Sequence, residues 1–240
     1  MTLWHLLQAA GETARVSAPT VVEAMFGNLT PEICDERLEA WSGRLLKHAR
    51  VTFTVSGLER IPPGETFVIM SNHQSLYDIP VLLQSLKRRI RFVTKTELFR
   101  VPLWGHAMRS AGMVEIDRHN RDRAIESLKN ARTALAQGTN IWIAPEGTRS
   151  DTGRLGSFKK GGFHLATDAG AKILPVTISG TRHALPARGK KVTPGARVTV
   201  TVSTPIDPAE FTGAGRDPLI EAVRRAIAQH LPEERQAPAA

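Results

Sequence analysis

His73 and Asp78 share one short stretch, Ser71-Asn72-His73-Gln74-Ser75-Leu76-Tyr77-Asp78, between a strand-like apolar run (Thr66 to Met70) and a helix-like one (Ile79 to Leu86). An imidazole beside a carboxylate is the base-and-orienter half of a nucleophilic triad: the acid fixes the tautomer and the far ring nitrogen takes a proton. At about 100° of rotation per residue, positions five apart point to roughly opposite sides of a helix, so the pair can meet only if the chain turns between them. Asp78, just ahead of Pro80, is placed to cap a helix, which puts the turn at residues 72–77 and His73 at the strand's carboxyl end. No serine sits in a Gly-x-Ser-x-Gly elbow, and the one cysteine, Cys34, lies in a polar helical segment far off in sequence. If His73 is a base, its nucleophile arrives on the substrate, and a hydroxyl is the natural candidate.

The elements that must hold this loop read as strand alternating with helix. Val51, Phe53 and Val55 alternate with threonines, and apolar runs at 66–70, 90–94, 113–116, 141–144, 172–179 and 197–203 read as further strands. Helical spacing follows at 79–86 and again at Asp122 to Gln137, where Ile125, Leu128, the stem of Arg132 and Leu135 form a stripe before Gly138. A short helix ends at Gly170, and Leu219, Ile220, Val223, Ala226, Ile227 and Leu231 trace one face of a closing helix. This alternation predicts an α/β fold over residues 51–231, a mixed, largely parallel sheet flanked by helices.

In such sheets ligands gather beyond the strands' carboxyl ends. His73, Lys95, Arg118 and the run Glu146 to Arg149 each follow a predicted strand directly, so four loops could meet at one crevice. Arg118 and Arg149 offer planar forks for phosphate oxygens, Lys95 a compact charge, and Gly147 a backbone amide without a blocking side chain. Together they describe a phosphate pocket beside a base. Singly, an arginine after a strand is more often a surface ion pair, Asp78 can serve as a helix cap, and Glu146 can pair with an arginine.

Residues 1–50 read as helical, with apolar tips at Leu3, Trp4, Leu6 and Leu7 and at Val21, Val22, Met25 and Phe26, broken by Gly11, Pro19 and Gly27. After Pro31 a better helix places Ile33, Leu38, Trp41 and Leu45 on one side, with Arg37, Arg44, Lys47 and Arg50 mainly elsewhere. Two compatible readings stand: a helix packed on the main domain, or amphipathic helices lying in a membrane surface.

The 240 residues are enough for one core with an appendage, and 41% hydrophobic and 23% charged content is ordinary for a folded chain. The balance is not ordinary. Lys plus Arg number 32 against 23 acids, a net +9, which favours anionic partners: nucleic acid, phosphate esters or an acidic lipid surface. The absence of a recognition-helix, zinc or RNA-binding signature argues against nucleic acid. Residues 181–195 are nonetheless basic, with Arg182, Arg188, Lys190 and Lys191 among Pro and Gly. A single cysteine excludes an intrachain disulfide framework and a cysteine-rich metal site, and fits a reducing cytoplasm. No run approaches the roughly 20 apolar residues of a spanning helix, and no signal peptide is evident. The tail 232–240 is expected to be disordered.

Four segments resemble, in order and spacing, the four blocks of the glycerolipid acyltransferase family. They are Asn72 to Asp78, Gly112 to Arg118, Pro145-Glu146-Gly147-Thr148-Arg149-Ser150 and Ile173-Leu174-Pro175-Val176, and Phe158-Lys159-Lys160-Gly161 fits as well. The resemblance spans roughly residues 50–185. It implies that His73 is the general base, Asp78 its orienting carboxylate, and that an acceptor hydroxyl attacks an acyl thioester directly. It also implies that Glu146, Gly147, Thr148 and Arg149 bind the acceptor, that Arg118 and Lys95 lie near its phosphate, and that the fourth block faces the acyl side. The expected substrates are a lysophospholipid, 1-acylglycerol-3-phosphate, and acyl-CoA or acyl-carrier protein as co-substrate, giving phosphatidic acid at the cytoplasmic face of an anionic membrane. No cofactor or metal is expected, because a thioester is already activated. Another lysolipid, such as a lyso-ornithine lipid, remains open as acceptor, and a non-catalytic binder of anionic lipid is the alternative from another class. Glu115 departs from the pattern, standing where the family usually has an apolar residue.

Overall fold

The computed structural model describes residues 2–117, 121–213 and 215–232. The chain opens with α1 (Thr2–Met25) and α2 (Pro31–His48), which lie against each other. α1 is one unbroken helix; Gly11 and Pro19, predicted to interrupt it, lie inside, and the helix stops ahead of Gly27, whose φ is +70°. Packing explains the difference. A mid-helix Gly costs about 1 kcal/mol and a Pro about 3, but α2 grips α1 along its length through Arg44–Glu12 (2.5 Å), Trp41 Nε1 donating to Thr13 (3.2 Å) and Arg37–Glu23 (2.7 Å). α2 itself starts at a Thr30 cap, whose hydroxyl accepts the Ile33 N–H with Pro31 in the first turn.

The sheet begins with β1 (Thr52–Ser56) and β2 (Val68–Ser71), followed by α3 (Asp78–Leu86) and β3 (Ile90–Lys95). Next come α4 (Thr96–Phe99), α5 (Trp104–Ser110), β4 (Val114–Ile116), α6 (Arg121–Ala136) and β5 (Asn140–Ile143). The chain closes with α7 (Gly161–Ala169), β6 (Ile173–Ser179), α8 (Thr181–Ala184), β7 (Arg197–Val202) and α9 (Asp217–Ala228). The strands form a seven-stranded sheet in the order β1-β7-β6-β2-β5-β3-β4. Every neighbouring pair is parallel except β6 and β7, as the alternation predicts.

Both faces of the sheet are covered, which is why its strands read as nearly continuous apolar runs. Ile69, Phe92, Trp142, Leu174, Val176 and Ile178 face α3 and α2, while Val68, Met70, Ile141, Ile143 and Ile173 face α6, α7 and α9. On α6 the inward stripe is Leu128, Ala131 and Leu135; Arg132 is exposed, because Ala131 takes the core-facing step and leaves no room for a charged stem. The side chain of Ile125, also predicted for that stripe, lies outside the described residues, as do Arg118 and residues 233–240 of the tail. Asp35 on α2 accepts from Arg89 (2.7 Å) and from the buried Arg91 of β3 (2.6 Å), fastening the N-terminal helices to the sheet. The parallel run β6-β2-β5-β3-β4 sends five carboxyl ends to one edge, with β2 between β6 and β5.

Candidate active site

β2 ends where Asn72 turns the chain out of the sheet. The Asn72 carboxamide donates to Ile178 O and accepts from Ile178 N–H, both at 2.8 Å, so β6 keeps its hydrogen bonds where β2 departs. The Ser71 hydroxyl accepts the indole N–H of Trp142 at 2.9 Å, and the Trp142 ring meets His73 edge-on at 5.4 Å between centroids. Within the following turn the Ser75 hydroxyl accepts the Tyr77 N–H at 3.1 Å. α3 starts one residue later.

His73 and Asp78 do meet across this turn, with Nδ1 2.7 Å from Oδ2. The same oxygen accepts the N–H groups of Gln74 (2.7 Å) and Ser75 (2.9 Å), and Oδ1 accepts the Thr181 hydroxyl at 2.5 Å. Asp78 has no exposed surface, and a buried carboxylate is tolerated only when donors surround it in this way. A carboxylate can only accept, so Nδ1 carries the proton and Nε2 presents its lone pair, with no protein partner among the described residues. Asp78 was placed by its sequence as a cap for α3. Its oxygens instead turn back to the loop before the helix, and the Ser75 hydroxyl, not Asp78, receives the N–H at the helix start.

Thr181 escaped the sequence reading. It lies 103 residues from Asp78 and is wholly buried. It is delivered by Gly180, whose φ of +104° and 2.2 Å clearance between a built Cβ and Arg197 O admit no side chain. A signal existed: Gly-Thr directly follows the last residue of β6, the same strand-end position that picked out the other candidates.

The loop after β5 grips His73 by its backbone. Glu146, nearly buried, accepts the His73 N–H at 2.9 Å through Oε1 and the Gly156 N–H at 2.8 Å through Oε2, while Ser150 N–H donates to His73 O at 2.7 Å. Burial pushes the Glu146 carboxyl above its ordinary value, and the two amides and the His73 ring partly counter this. The Gly147 amide is not free, since it donates to Ala144 O at 3.0 Å; the residue supplies the left-handed φ of +73° that the turn requires. Over this turn runs Lys159, whose N–H donates to Pro145 O at 2.8 Å and whose Cγ lies 3.6 Å from a Cβ built at Gly147.

Arg149 is half-buried, one residue from the Ser150 contact with His73, and Thr148 is exposed. Neither Arg149 nor Lys95 has a hydrogen-bond or ion-pair partner among the described residues, so both cations are available to an anion. Lys95 ends β3, two strands from β2, or about 10 Å along the sheet. Glu115 is paired to Arg109 at 3.0 Å, which accounts for an acid on this edge strand. Among the described residues no cluster of His, Cys, Asp and Glu could hold a metal ion.

Beside the site loop lies a mostly apolar cavity of about 280 Å³, walled by α1, α2, α5 and the start of α3. Leu76 and Tyr77, from the loop that carries His73, line it together with Trp41, Trp104, Met108 and Val192. Burial there pushes the Tyr77 phenol up to about 12. Cys34 also faces this cavity, buried, despite the polar residues around it in sequence, and its thiol is likewise raised by burial.

The site thus combines a ring nitrogen able to take a proton, unpaired cations, and an apolar space. Comparison with known proteins identifies the family. The family model for Acyltransferase matches residues 52–179. The chloroplastic 1-acyl-sn-glycerol-3-phosphate acyltransferase LPAT1 of Arabidopsis thaliana is 36% identical over 178 residues, covering 74% of this chain and 48% of that protein. The mouse 1-acyl-sn-glycerol-3-phosphate acyltransferase alpha is 32% identical over 188 residues, covering 76% and 66%. The chain spans about half the length of the plant relatives it matches. The crystal structure of the 1-acyl-sn-glycerophosphate (LPA) acyltransferase PlsC from Thermotoga maritima superposes with a TM-score of 0.78 at 28% identity, covering 94% of this chain and 91% of that one. On the match of the family model, the chain belongs to the Acyltransferase family.

Proposed function

We propose that the protein transfers a fatty acyl group from a thioester, acyl-CoA or acyl-carrier protein, to the free hydroxyl of 1-acylglycerol-3-phosphate, giving phosphatidic acid. The single observation that carries this reading is the caged His73–Asp78 pair, whose geometry leaves Nε2 as a free base. Nε2 takes the hydroxyl proton as the oxygen attacks the thioester carbonyl. The tetrahedral intermediate then expels the thiolate, which recovers that proton from the imidazolium. Asp78 holds the ring in place and stabilises its transient positive charge through a charge-assisted hydrogen bond. The Gln74 and Ser75 amides are committed to Asp78, so the oxyanion is served by other donors.

Arg149, Thr148, Lys95, Lys159 and Arg118 hold the acceptor phosphate, and Glu146 and Gly147 shape the loop that presents Arg149. The acyl chain occupies the apolar cavity beside Leu76 and Tyr77. Among the described residues no helix is long and apolar enough to cross a membrane. Trp4, Leu7, Val22 and Met25 are all exposed on α1 and fall within about 60° of its circumference, and Phe26, exposed as well, directly follows its last residue. We assign this stripe to the membrane surface, where the lysolipid resides.

Labelled acyl-CoA and 1-acylglycerol-3-phosphate incubated with the purified protein yield labelled phosphatidic acid. His73→Ala lowers that turnover about 10²- to 10⁴-fold while acceptor binding persists. Absence of ester with every 1-acylglycerol-3-phosphate offered would refute the reading; ester formed only with another lysolipid would replace the acceptor.

A further inference from the structure

The acceptor has one phosphate, yet the loops after the strands on both sides of β2 carry cations. Arg149, Lys95 and Lys159 lie toward β5 and β3. The second group, Arg182, Arg188, Lys190 and Lys191, follows β6, the strand that neighbours β2 on the side away from β5. This second group sits on a held loop. Leu185 and Val192 at its two ends are buried in the lining of the apolar cavity, Ala187 is buried between them, and Thr193 N–H donates to Ala184 O at 2.8 Å across the loop's neck.

The loop is also coupled to the site. Arg182 donates to Thr152 O and Arg188 pairs with Asp151, each at 2.7 Å, and the adjoining Ser150 N–H binds His73 O. Lys190 and Lys191 are exposed and have no acidic partner among the described residues.

We propose that the loop 182–191 binds the phosphates of the donor's handle, and that the donor is a coenzyme A thioester. The proposal rests on the acyl-transfer reading and names its co-substrate. An acyl-CoA is an apolar chain, a thioester and a polyanion joined in that order. The protein offers an apolar cavity, a base, and a cationic loop whose ends line that same cavity. The two free lysine charges, with the N–H groups that Arg182 and Arg188 do not spend on Thr152 O and Asp151, match a compact group of phosphates within ten residues. An acidic carrier protein needs a far broader face, about 800 Å² on each partner for a standard interface. A lipid surface fits less well, because none of the exposed large apolar side chains falls on this loop; they lie on α1 and elsewhere.

The test compares wild type with the triple variant Arg188→Ala, Lys190→Ala, Lys191→Ala. Each exposed ion pair is worth a factor of about two, so together they weaken binding of free coenzyme A, measured by calorimetry, about tenfold. The preference for acyl-CoA over the phosphate-free S-acyl pantetheine falls by the same factor, and the effect shrinks in high salt. Equal affinity of wild type and variant for coenzyme A would overturn the proposal. So would a loss seen with acyl-carrier protein alone, which would assign the loop to an acidic protein, or a loss of vesicle flotation, which would assign it to lipid. Failure of the wild type to form ester with any thioester would refute acyl transfer itself, while the calorimetry judges the phosphate loop independently.

Discussion

Replacing Glu146 with Gln separates two roles for a residue that the family resemblance assigns to acceptor binding. Both carboxylate oxygens receive backbone N–H groups, from His73 at 2.9 Å and Gly156 at 2.8 Å. A carboxamide of the same shape has one acceptor and one donor, so whichever way it lies, one buried N–H faces another N–H. Hydrogen bonds to a charged group are worth about 1.5–3 kcal/mol, and an orphaned buried donor costs about 1–3. Relief from burying a charge offsets part of this, leaving a net destabilisation of about 1–3 kcal/mol, or a drop in Tm of roughly 2–12 °C at this chain length. Where the carboxamide nitrogen is the end that faces His73, the His73 peptide keeps only its Ser150 contact and kcat falls about 10-fold, as expected for slight misplacement of a base. The acceptor KM stays near wild type. Steady-state kinetics and thermal unfolding check both, and a raised acceptor KM at unchanged kcat would refute the positioning argument. The variant has a pH signature too. The folded carboxyl is raised above its ordinary value by burial, so as pH climbs from that ordinary value through the raised one the native state holds more proton than the unfolded one. Stability contributed by this group is therefore lost over that window, and the wild-type-minus-variant difference in unfolding free energy declines with rising pH.

Thr181→Val removes the hydroxyl that serves Asp78 Oδ1, leaving that oxygen buried without a donor; kcat falls about tenfold, Thr181→Ser restores it, and loss in both variants would reduce Thr181 to a packing role. Arg149→Ala raises the acceptor KM about 10- to 100-fold for phosphate-bearing lysolipids, consistent with a charge-assisted fork, and unchanged acceptor dependence would count against the phosphate pocket. Substituting Trp4, Met25 and Phe26 together by Glu abolishes flotation with anionic vesicles while turnover of a detergent-dispersed acceptor persists, and undiminished flotation would place the anchor elsewhere. Point changes are preferable to removing residues 1–50, since α1 and α2 wall the apolar cavity.

The parallel sheet was legible because its central strands are buried on both faces, and double burial writes runs such as Val68 to Met70 and Ile173 to Val176 directly into the chain. From there, attention to strand carboxyl ends led to His73, Glu146 and Arg149. What those residues touch was not legible. Glu146 looks the same in sequence whether it faces a ligand or two peptide amides, and Gly147 whether it offers its N–H or spends it on a turn. Thr181 depends on a strand pairing of residues far apart along the chain. The continuity of α1 follows from its packing on α2, which outweighs the local preference of Gly11 and Pro19 to break a helix. Cys34 belongs to a buried wall only because α1 and α5 close over α2.

The four donors around Asp78 and the two backbone holds on His73 also bear on how the chain acquires competence after synthesis. Their partners are separated from the site loop by 73 residues in the case of Glu146 and 103 in the case of Thr181. Contacts of such sequence separation form late, after loop closure has been met by the sheet as a whole. Helical signal on dilution from denaturant should therefore return ahead of turnover, with β6 docking beside β2 as the step that switches the base on.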